Sequence, residues 1–433
     1  MEISIKESTM VRPAQETPNQ WLWMSNMDEI VIRSHIPTVY FYIPDGSSNC
    51  FDVERLKGSL SRILVPFYPV AGRLRFDENE RLELICNAEG VLFIEAETSS
   101  EMDLLTGDFT DSSQVWRLVP AVDYSGGISS YPLFILQVTS FKCGGISIGV
   151  GVHHSLADGT SALNFINSWS DMARGIPLCL EPLFDRTLLR ARVPPTPKFH
   201  HIEYEPSPPL ITESESHPKS SIVSVFNITA DHVNTLKAKS QENIADTSTT
   251  KFSTFNVLAA HIWRCVTRAR FLSNDQPTKL YMAVDGRSRL HPPLPSEYFG
   301  NVIFTTATIA VAGDLQSEPI TDTEKRIQKA LTQMDNEYLR SILDYMELPG
   351  VKDLARGSRT IHSPNLGIVS WMRLPIYEAD FGWGRPVYMR PAKVLVEGLV
   401  YITRTPKNDG SLSVVTRLEA SEMKLFGELL YKF

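Results

Sequence analysis

The amino-acid sequence predicts a mixed α/β protein with two domains of similar size, each a mixed sheet with covering helices. Its 433 residues exceed what a single hydrophobic core usually supports. Segments with the two-residue alternation of strands occur in both halves of the chain, among segments with helical spacing. Between the halves, residues 192–221 are rich in Pro, Ser and charge, which is typical of a linker or a long surface crossover.

The first half, residues 1–191, is predicted to form the first domain. Its segments "TVYFYIP", "RLELICN" and "GVLFIEAE" predict strands, because β-branched and aromatic residues alternate with other side chains. The segment "FDVERLKGSLSRILV" has the spacing of an amphipathic helix.

The second half, residues 222–433, is predicted to form the second domain. Helical spacing occurs in "STFNVLAAHIWRCVTRARF" and in "DTEKRIQKALTQMDNEYLRSILDYMEL". Strands are predicted for "TKLYMAVDGRSR", "NVIFTTATIAVA", "NLGIVSWMR" and "SLSVVTRLEA".

Composition narrows the classes of function. The net charge of -8 argues against nucleic acid as a partner, because phosphate binding needs a basic surface. No segment approaches the roughly 20 apolar residues of a membrane helix, and the N-terminal residues have no apolar run of the signal-peptide kind. The five cysteines are scattered and form no CxxC pair, which indicates reduced thiols without a metal site. We expect a cytosolic, monomeric protein that binds small molecules.

The segment "GVHHSLADGTS", residues 151–161, contains the candidate catalytic residues. It ends a predicted strand whose apolar residues 146, 148, 150 and 152 lie on one face, and His154 continues that face. His153 points to the opposite face, so we expect it to be structural. Asp158 precedes a helical pattern and is placed to be its N-cap.

Two interpretations of His154 are open from this pattern alone. It is either a general base, since an unperturbed imidazole titrates near physiological pH, or a satisfied core histidine beside an N-cap aspartate. The GxSxG match "GISIG" at 145–149 lies inside the predicted strand and not at the strand-to-helix turn of a nucleophile elbow, and the chain has no HExxH motif and no phosphate-binding glycine loop. A histidine without a protein nucleophile suggests direct transfer, in which the base deprotonates an acceptor that attacks an activated acyl group.

Three separated motifs carry a resemblance to a known family. The HxxxDG pattern at His154, "YFGN" at 298–301 after "VDGRSRL", and "DFGWG" at 380–384 resemble the plant BAHD acyltransferases, over nearly the whole chain. These enzymes transfer acyl groups from coenzyme A thioesters to alcohols or amines. The resemblance is strongest to the hydroxycinnamoyl-CoA shikimate/quinate hydroxycinnamoyltransferases. It implies a chloramphenicol acetyltransferase-like fold with a channel at the domain interface, coenzyme A as co-substrate, and no permanently bound cofactor.

The resemblance also assigns roles to residues. It makes His154 the general base and pairs Asp158, beside Gly159, with Arg287 as a structural support. It makes the indole N–H of Trp371 a donor to the oxyanion, where a core tryptophan with an internally satisfied N–H is the alternative. The motif residues Asp380, Gly382 and Gly384 are implied to be architectural.

At the expected acceptor site, the sequence differs from the hydroxycinnamoyltransferases that it resembles. Arg356 falls at the position of the clade's carboxylate-binding arginine, and an arginine can bind a carboxylate through two hydrogen bonds. Ile36 and Val369 stand where a hydroxyl-bearing residue is usual, so a polyol acceptor would lose partners. Arg404 is either a second cation for an acid or a solvated side chain. The remaining expected acceptor contacts are His35, Thr38 and Tyr40, and the expected coenzyme A contacts are Lys251, Ser253 and Thr254.

The function implied is transfer of a p-coumaroyl or caffeoyl group to an acidic acceptor, with shikimate or quinate favoured. The alternatives left open are another acceptor, such as hydroxyphenyllactate, malate or an amine, and a non-catalytic acyl-CoA or phenolic binding protein. A third class, the condensation domains of peptide synthesis, shares the histidine motif. A free-standing chain with "DFGWG" speaks against that class.

Overall fold

A computed structural model describes residues 1–44, 51–102, 114–211, 220–242, 252–351 and 360–432. In chain order, its strands are β1 (Ser4–Val11), β2 (Gln20–Trp23), β3 (His35–Tyr42), β4 (Arg73–Phe76), β5 (Leu82–Cys86), β6 (Val91–Thr98), β7 (Phe134–Phe141), β8 (Ile146–His153), β9 (Ser221–Ile228), β10 (Pro277–Asp285), β11 (Ile303–Val311), β12 (Leu366–Ser370), β13 (Tyr388–Pro391), β14 (Leu399–Arg404) and β15 (Leu412–Glu419).

The α-helices lie between these strands and after the last one. They are α1 (Asn26–Glu29), α2 (Val53–Ile63), α3 (Gly159–Ala173), α4 (Ala230–Glu242), α5 (Thr254–Ala269), α6 (Ala312–Ser317), α7 (Ile320–Thr332), α8 (Asn336–Tyr345) and α9 (Ala420–Leu430). The segment 322–348, predicted as one helical stretch, is divided between α7 and α8. The division occurs at Asp335, whose carboxylate accepts the backbone N–H of Tyr338 at 3.0 Å and so begins a new helix.

The chain forms two compact units. The first comprises residues 1–191, 292–302 and 374–393, and the second comprises 192–291, 303–373 and 394–433. Each unit contains one six-stranded sheet, in the order β1-β6-β7-β8-β3-β13 in the first and β11-β10-β12-β14-β15-β9 in the second. The first unit also has a three-stranded sheet, β2-β5-β4. Both six-stranded sheets mix parallel and antiparallel pairs, which confirms the predicted mixed α/β class.

Two segments from the second half of the sequence belong to the first unit. Strand β13 extends the first sheet by pairing antiparallel to β3, with Arg390 opposite Val39. "DFGWG" therefore packs within the first unit, although the predicted boundary assigns it to the domain over 222–433. The stretch 192–221, predicted as a crossover, lies in the second unit apart from its undescribed residues 212–219. There the buried His201 bonds Ser341 Oγ of α8 through Nε2 at 2.9 Å.

The helices bury apolar faces against these sheets. In the second unit α5 is nearly all buried, and the Nε1–H of its Trp263 donates to Thr278 Oγ1 of β10 at 3.3 Å. In the first unit α3 packs on α2, where Trp169 Nε1–H donates to Leu56 O at 3.2 Å. This contact holds α3, and with it the turn that begins the helix, in place.

Candidate active site

His154 lies immediately after β8, on the turn that leads into α3. Every residue of β8 is buried, so the strand is a rigid base for this turn. The backbone N–H of His154 donates to Ser34 O at 3.0 Å, and its carbonyl oxygen accepts from Asn301 Nδ2 at 2.8 Å. The ring is only partly exposed, and Nδ1 is its enclosed nitrogen. Nε2 is therefore the atom that can meet a substrate.

Burial sets the charge of this ring. It lowers the pKa of His154, while the carbonyl of the same residue, the carboxylate of Asp158, the side chain of Asn301 and the carboxylate of Asp28 act in the opposite direction. Burial is the largest of these effects, so the imidazole is neutral at neutral pH. Only the neutral ring can accept a proton as a general base.

Asp158 holds the turn rather than the ring. Its Oδ1 accepts the backbone N–H of Ser161 at 3.0 Å, which makes Asp158 the N-cap of α3, as the sequence predicted. Its Oδ2 accepts the backbone N–H of Val302 at 2.9 Å. Both oxygens thus join the helix start to the segment that follows "YFGN". Next to it, a Cβ on Gly159 would come within 3.2 Å of Leu374 Cδ1, so the helix start has little room for a side chain.

The expected partner of Asp158, Arg287, lies in the second unit directly after β10. Its backbone N–H donates to Asp285 Oδ1 at 2.8 Å, and its Nη1 lies 3.3 Å from the same oxygen. The pairing of Arg287 with Asp158 stays a prediction.

The register of β3 on β8 sorts the expected acceptor residues between two faces. Ile36, Thr38 and Tyr40 lie opposite Val152, Val150 and Ile148, so they share the face that leads to His154. Burial raises the pKa of Tyr40, which keeps it a neutral phenol.

His35 pairs with His153 and lies on the other face of the sheet. Its Nδ1 bonds Tyr124 Oη at 2.9 Å and its Nε2 bonds Pro132 O at 2.8 Å. Burial lowers its pKa to about 4. The side chain of His153 is buried there too, with its ring stacked on Tyr131. Of the four acceptor contacts expected on β3, three lie on the face that leads to His154, and His35 lies on the opposite face.

The "DFGWG" segment forms a closed loop within the first unit. Asp380 Oδ1 accepts the backbone N–H groups of Gly382 at 2.8 Å and Gly384 at 3.0 Å. Both glycines have positive φ, +107° and +97°, which other residues rarely adopt. Phe381 packs against Trp169 of α3 with a centroid separation of 4.5 Å. The loop therefore supports α3 through packing.

In the second unit, Trp371 follows β12 and Arg404 ends β14. The backbone N–H of Trp371 donates to Ile402 O at 2.7 Å, and its ring lies 4.8 Å from that of Tyr401. Its indole N–H makes no hydrogen bond with any residue that the structure describes. Val369, two residues earlier, is half-buried on β12 opposite Tyr401 of β14.

The expected coenzyme A residues divide between described and undescribed positions. Ser253 is the N-cap of α5, and its Oγ accepts the backbone N–H of Asn256 at 3.1 Å, so its hydroxyl already has a structural partner. Thr254 is the first residue of that helix. Lys251, like Arg356 of the acceptor set, lies outside the described residues.

A family model described as the transferase family matches residues 1–432 of this chain. The chain belongs to this family. These are the BAHD acyltransferases, so the resemblance carried by the three motifs is confirmed, and the chain is a coenzyme A-dependent acyltransferase.

Individual BAHD relatives match over full length. Shikimate O-hydroxycinnamoyltransferase of Nicotiana tabacum is 56% identical, with 100% of each chain covered. A hydroxycinnamoyl-CoA:5-hydroxyanthranilate N-hydroxycinnamoyltransferase of Avena sativa, HHT4, is 48% identical with 99% of each covered. Among solved structures, TRI101 of F. sporotrichioides, complexed with coenzyme A and T-2, superposes with a TM-score of 0.77 at 20% identity, covering 94% of this chain and 97% of that one. That likeness confirms the fold.

Sequence reasoning missed part of what surrounds the BAHD histidine. Asn301 was seen only as the last letter of a family motif, and Asp28 and Arg186 were not singled out. These three residues are buried together next to the histidine turn. Asp28 and Asn301 are 273 positions apart in the chain, so no local pattern could have joined them.

Two further properties of the described residues bear on the type of site. No group of three or more His, Cys, Asp or Glu side chains among them could hold a metal ion. In the same part of the chain, no helix combines the length and the apolar character that crossing a membrane requires. Four described cysteines are free thiols: Cys86, Cys143, Cys179 and Cys265.

Proposed function

We propose that this BAHD enzyme transfers a hydroxycinnamoyl group, p-coumaroyl or caffeoyl, from coenzyme A to a hydroxyl of an acidic acceptor, with shikimate or quinate favoured. The observation that carries the proposal is full-length identity of 56% to a shikimate O-hydroxycinnamoyltransferase, together with a neutral, turn-held His154. The setting we propose is phenylpropanoid metabolism in the cytosol, with the enzyme acting as a monomer.

The proposed reaction is a direct transfer with His154 as base. Nε2 accepts the proton of the acceptor hydroxyl while the hydroxyl oxygen attacks the thioester carbonyl carbon. The carbonyl oxygen becomes an oxyanion, and the indole N–H of Trp371 donates to it. When the tetrahedral intermediate collapses, the carbon–sulfur bond breaks and the thiolate of coenzyme A takes the proton from the imidazolium. No bond forms between substrate and protein.

The free indole N–H supports the oxyanion role of Trp371. A donor whose hydrogen bond is already made inside the protein would have to break it to stabilise the intermediate. Trp371 has no such bond within the described residues, and for this reason we propose the oxyanion role over the alternative of an internally satisfied core tryptophan. Asp158 is proposed to be structural, because both of its oxygens accept backbone N–H groups.

For the acceptor we propose a wall built from Ile36, Thr38 and Tyr40 on the His154 face of the first sheet. Val369 and Arg404 are proposed contributions of the second unit, and Arg356 the bidentate partner of a carboxylate. The aliphatic side chains of Ile36 and Val369 make this wall poorer in hydroxyl groups. A different acceptor is therefore the alternative proposal: hydroxyphenyllactate, malate, or an amine that would give an amide.

The test is turnover with p-coumaroyl-CoA and a panel of shikimate, quinate, malate, hydroxyphenyllactate, 5-hydroxyanthranilate and simple amines, followed by release of free thiol. We expect the highest kcat/KM with shikimate or quinate. A preference for an amine or for hydroxyphenyllactate would replace the proposed acceptor while leaving the reaction class intact. Absence of turnover with every acceptor, in protein that still binds p-coumaroyl-CoA, would support the non-catalytic binding protein instead.

A further inference from the structure

The side chain of Asn301 is enclosed between His154 and a buried ion pair. Its Nδ2 donates to His154 O at 2.8 Å and to Asp28 Oδ1 at 2.9 Å. Its backbone N–H donates to the same Asp28 oxygen at 3.0 Å. Asn301 is fully buried, so water cannot replace these bonds. Asn301, the last residue of "YFGN", is thus bonded both to the backbone of His154 and to Asp28.

Asp28 is held rigidly by other groups. Its Oδ1 also lies 2.9 Å from Arg186 Nη1, and both side chains have no exposed surface. Its Oδ2 accepts the backbone N–H of Ser25 at 2.9 Å and the hydroxyl of Ser25 at 2.6 Å. A buried carboxylate with an ionic partner and several donors keeps one orientation. The amide of Asn301, which depends on Asp28, therefore keeps one orientation as well.

This orientation bears on the ring of His154. The carbonyl that Asn301 holds belongs to His154 itself, and it is also the group that most strongly opposes the effect of burial on the ring's pKa. The Nδ1 of His154 and the Oδ1 of Asn301 are both buried, and neither has a hydrogen-bond partner of normal geometry among the described residues. The other charged or titratable groups acting on this ring are Asp158, Asp28 and, from the same strand end, His153.

We propose that Asn301 is a positioning residue for His154, and that Asp28 and Arg186 hold its amide for this task. The proposal rests on the proposed role of His154 as base. Asn301 fixes the carbonyl of His154 with one end of its amide and places the other end, Oδ1, on the enclosed side of the ring. A proton on Nδ1 is thereby favoured over one on Nε2, which leaves Nε2 free to accept the proton of the substrate.

The experiment compares Asn301→Ala with the unaltered enzyme in steady-state kinetics between about pH 5 and 9, with rates corrected for the folded fraction. We expect kcat/KM to fall by roughly 10- to 100-fold, since small misplacements of a catalytic group have effects of this size. KM for both substrates should stay within about threefold. Asn301 favours the protonated ring, so its loss should move the acidic limb of the rate profile to lower pH.

Asn365→Ala is the matched control. Asn365 is also fully buried, and its Nδ2 donates to a backbone carbonyl, that of Thr360, at 2.8 Å. It lies in the second unit, whereas His154 lies in the first. We expect this variant to lose stability but to keep kcat and the position of the acidic limb. The proposal would be overturned if the lower rate of Asn301→Ala were explained entirely by a smaller folded fraction and the acidic limb of its rate profile did not move.

Two additional variants make the outcomes separable. If Asn301→Ala does not fold, Ser25→Ala is used instead, because it removes one hydrogen bond from the carboxylate of Asp28. This variant should move the acidic limb of the rate profile in the same direction but by less. An unmoved acidic limb in Ser25→Ala would also overturn the proposal. His154→Ala tests the underlying assumption. Retained turnover in His154→Ala would refute the base itself, whereas an inactive His154→Ala beside a fully active Asn301→Ala would refute only the positioning role.

Discussion

Trp371 differs from Trp169 and Trp263 in the hydrogen bonding of its indole N–H. Trp169 donates its Nε1–H to Leu56 O and Ser59 Oγ, and Trp263 donates to Thr278 Oγ1. The Nε1–H of Trp371 has no partner within the described residues, although the side chain is 9% exposed. Nε1 of Trp371 is not enclosed, so a ligand can reach this donor. At the residue scale, this accessible donor supports the proposed role of the indole.

We expect Trp371→Phe to lower kcat by about 10- to 100-fold with little change in KM, because an oxyanion donor acts mainly in the transition state. The phenyl ring keeps the packing against Tyr401. Trp263→Phe makes the same truncation where the N–H has an internal partner, so it should reduce the free energy of unfolding and spare kcat. Trp371→Phe with a kcat within twofold of the unaltered enzyme would remove the oxyanion role.

Ile36 and Val369 are residue-scale determinants of the acceptor. The double variant Ile36→Thr, Val369→Thr keeps the β-branched shape that strands favour and adds one hydroxyl at each position. Because each of the two regained hydrogen bonds contributes about 0.5–1.5 kcal/mol, kcat/KM for shikimate should rise by roughly 5- to 150-fold. Val223→Thr, at a half-buried position of β9, is the control for strand stability. Unchanged kcat/KM for shikimate would show that the two side chains do not face the acceptor.

At the scale of elements, the site depends on how helix α3 begins. Asp158 caps the helix and also accepts the N–H of Val302, so one carboxylate joins two segments of the first unit. The sequence allowed the cap to be predicted, because an aspartate directly before a helical pattern is a local signal. The contact with Val302 could not be predicted, since 144 residues separate the partners.

We expect Asp158→Ala to reduce the free energy of unfolding by roughly 2–4 kcal/mol. About 1 kcal/mol comes from the lost cap and the rest from the buried N–H of Val302 left without an acceptor. Asp335→Ala removes only a cap, that of α8, and should cost about 1 kcal/mol. Denaturant unfolding of the two variants measures the difference. Equal losses in both, with turnover abolished only in Asp158→Ala, would contradict the structural role.

At the scale of the whole molecule, structure that depends on neighbouring residues could be predicted from the sequence, whereas contacts between segments distant in the sequence could not. Strand alternation correctly separated His153 from His154, because the two-residue period of a strand is a local property. The family resemblance, by contrast, grouped His35 with Ile36 as acceptor contacts, yet consecutive strand residues face opposite sides, and His35 lies with His153. The pairing of β13 with β3, which brings "DFGWG" into the first unit, joins segments about 350 residues apart and has no local signal.

The buried histidines His35 and His153 also predict how the whole molecule responds to acid. Burial lowers the pKa of His35 to about 4 and that of His153 well below its ordinary value. Below about pH 6.5 the unfolded chain therefore binds protons that the folded chain does not. Stability from these groups is complete above that pH and is lost as the pH falls toward the folded-state pKa values. Each histidine should cost about 2 kcal/mol between pH 6.5 and 5.

His153→Phe isolates one of the two contributions. Neither ring nitrogen of His153 has a hydrogen-bond partner among the described residues, so a phenyl ring stacked on Tyr131 gives up no bond. We expect urea unfolding at pH 7.5 to show equal or greater stability, and the loss on moving to pH 5 to be smaller by about 2 kcal/mol. His291→Gln, at an exposed position, is the control for replacing a histidine elsewhere in the chain. If His153→Phe lost as much stability in acid as the unaltered protein, protonation of His153 would not be what acid unfolding requires.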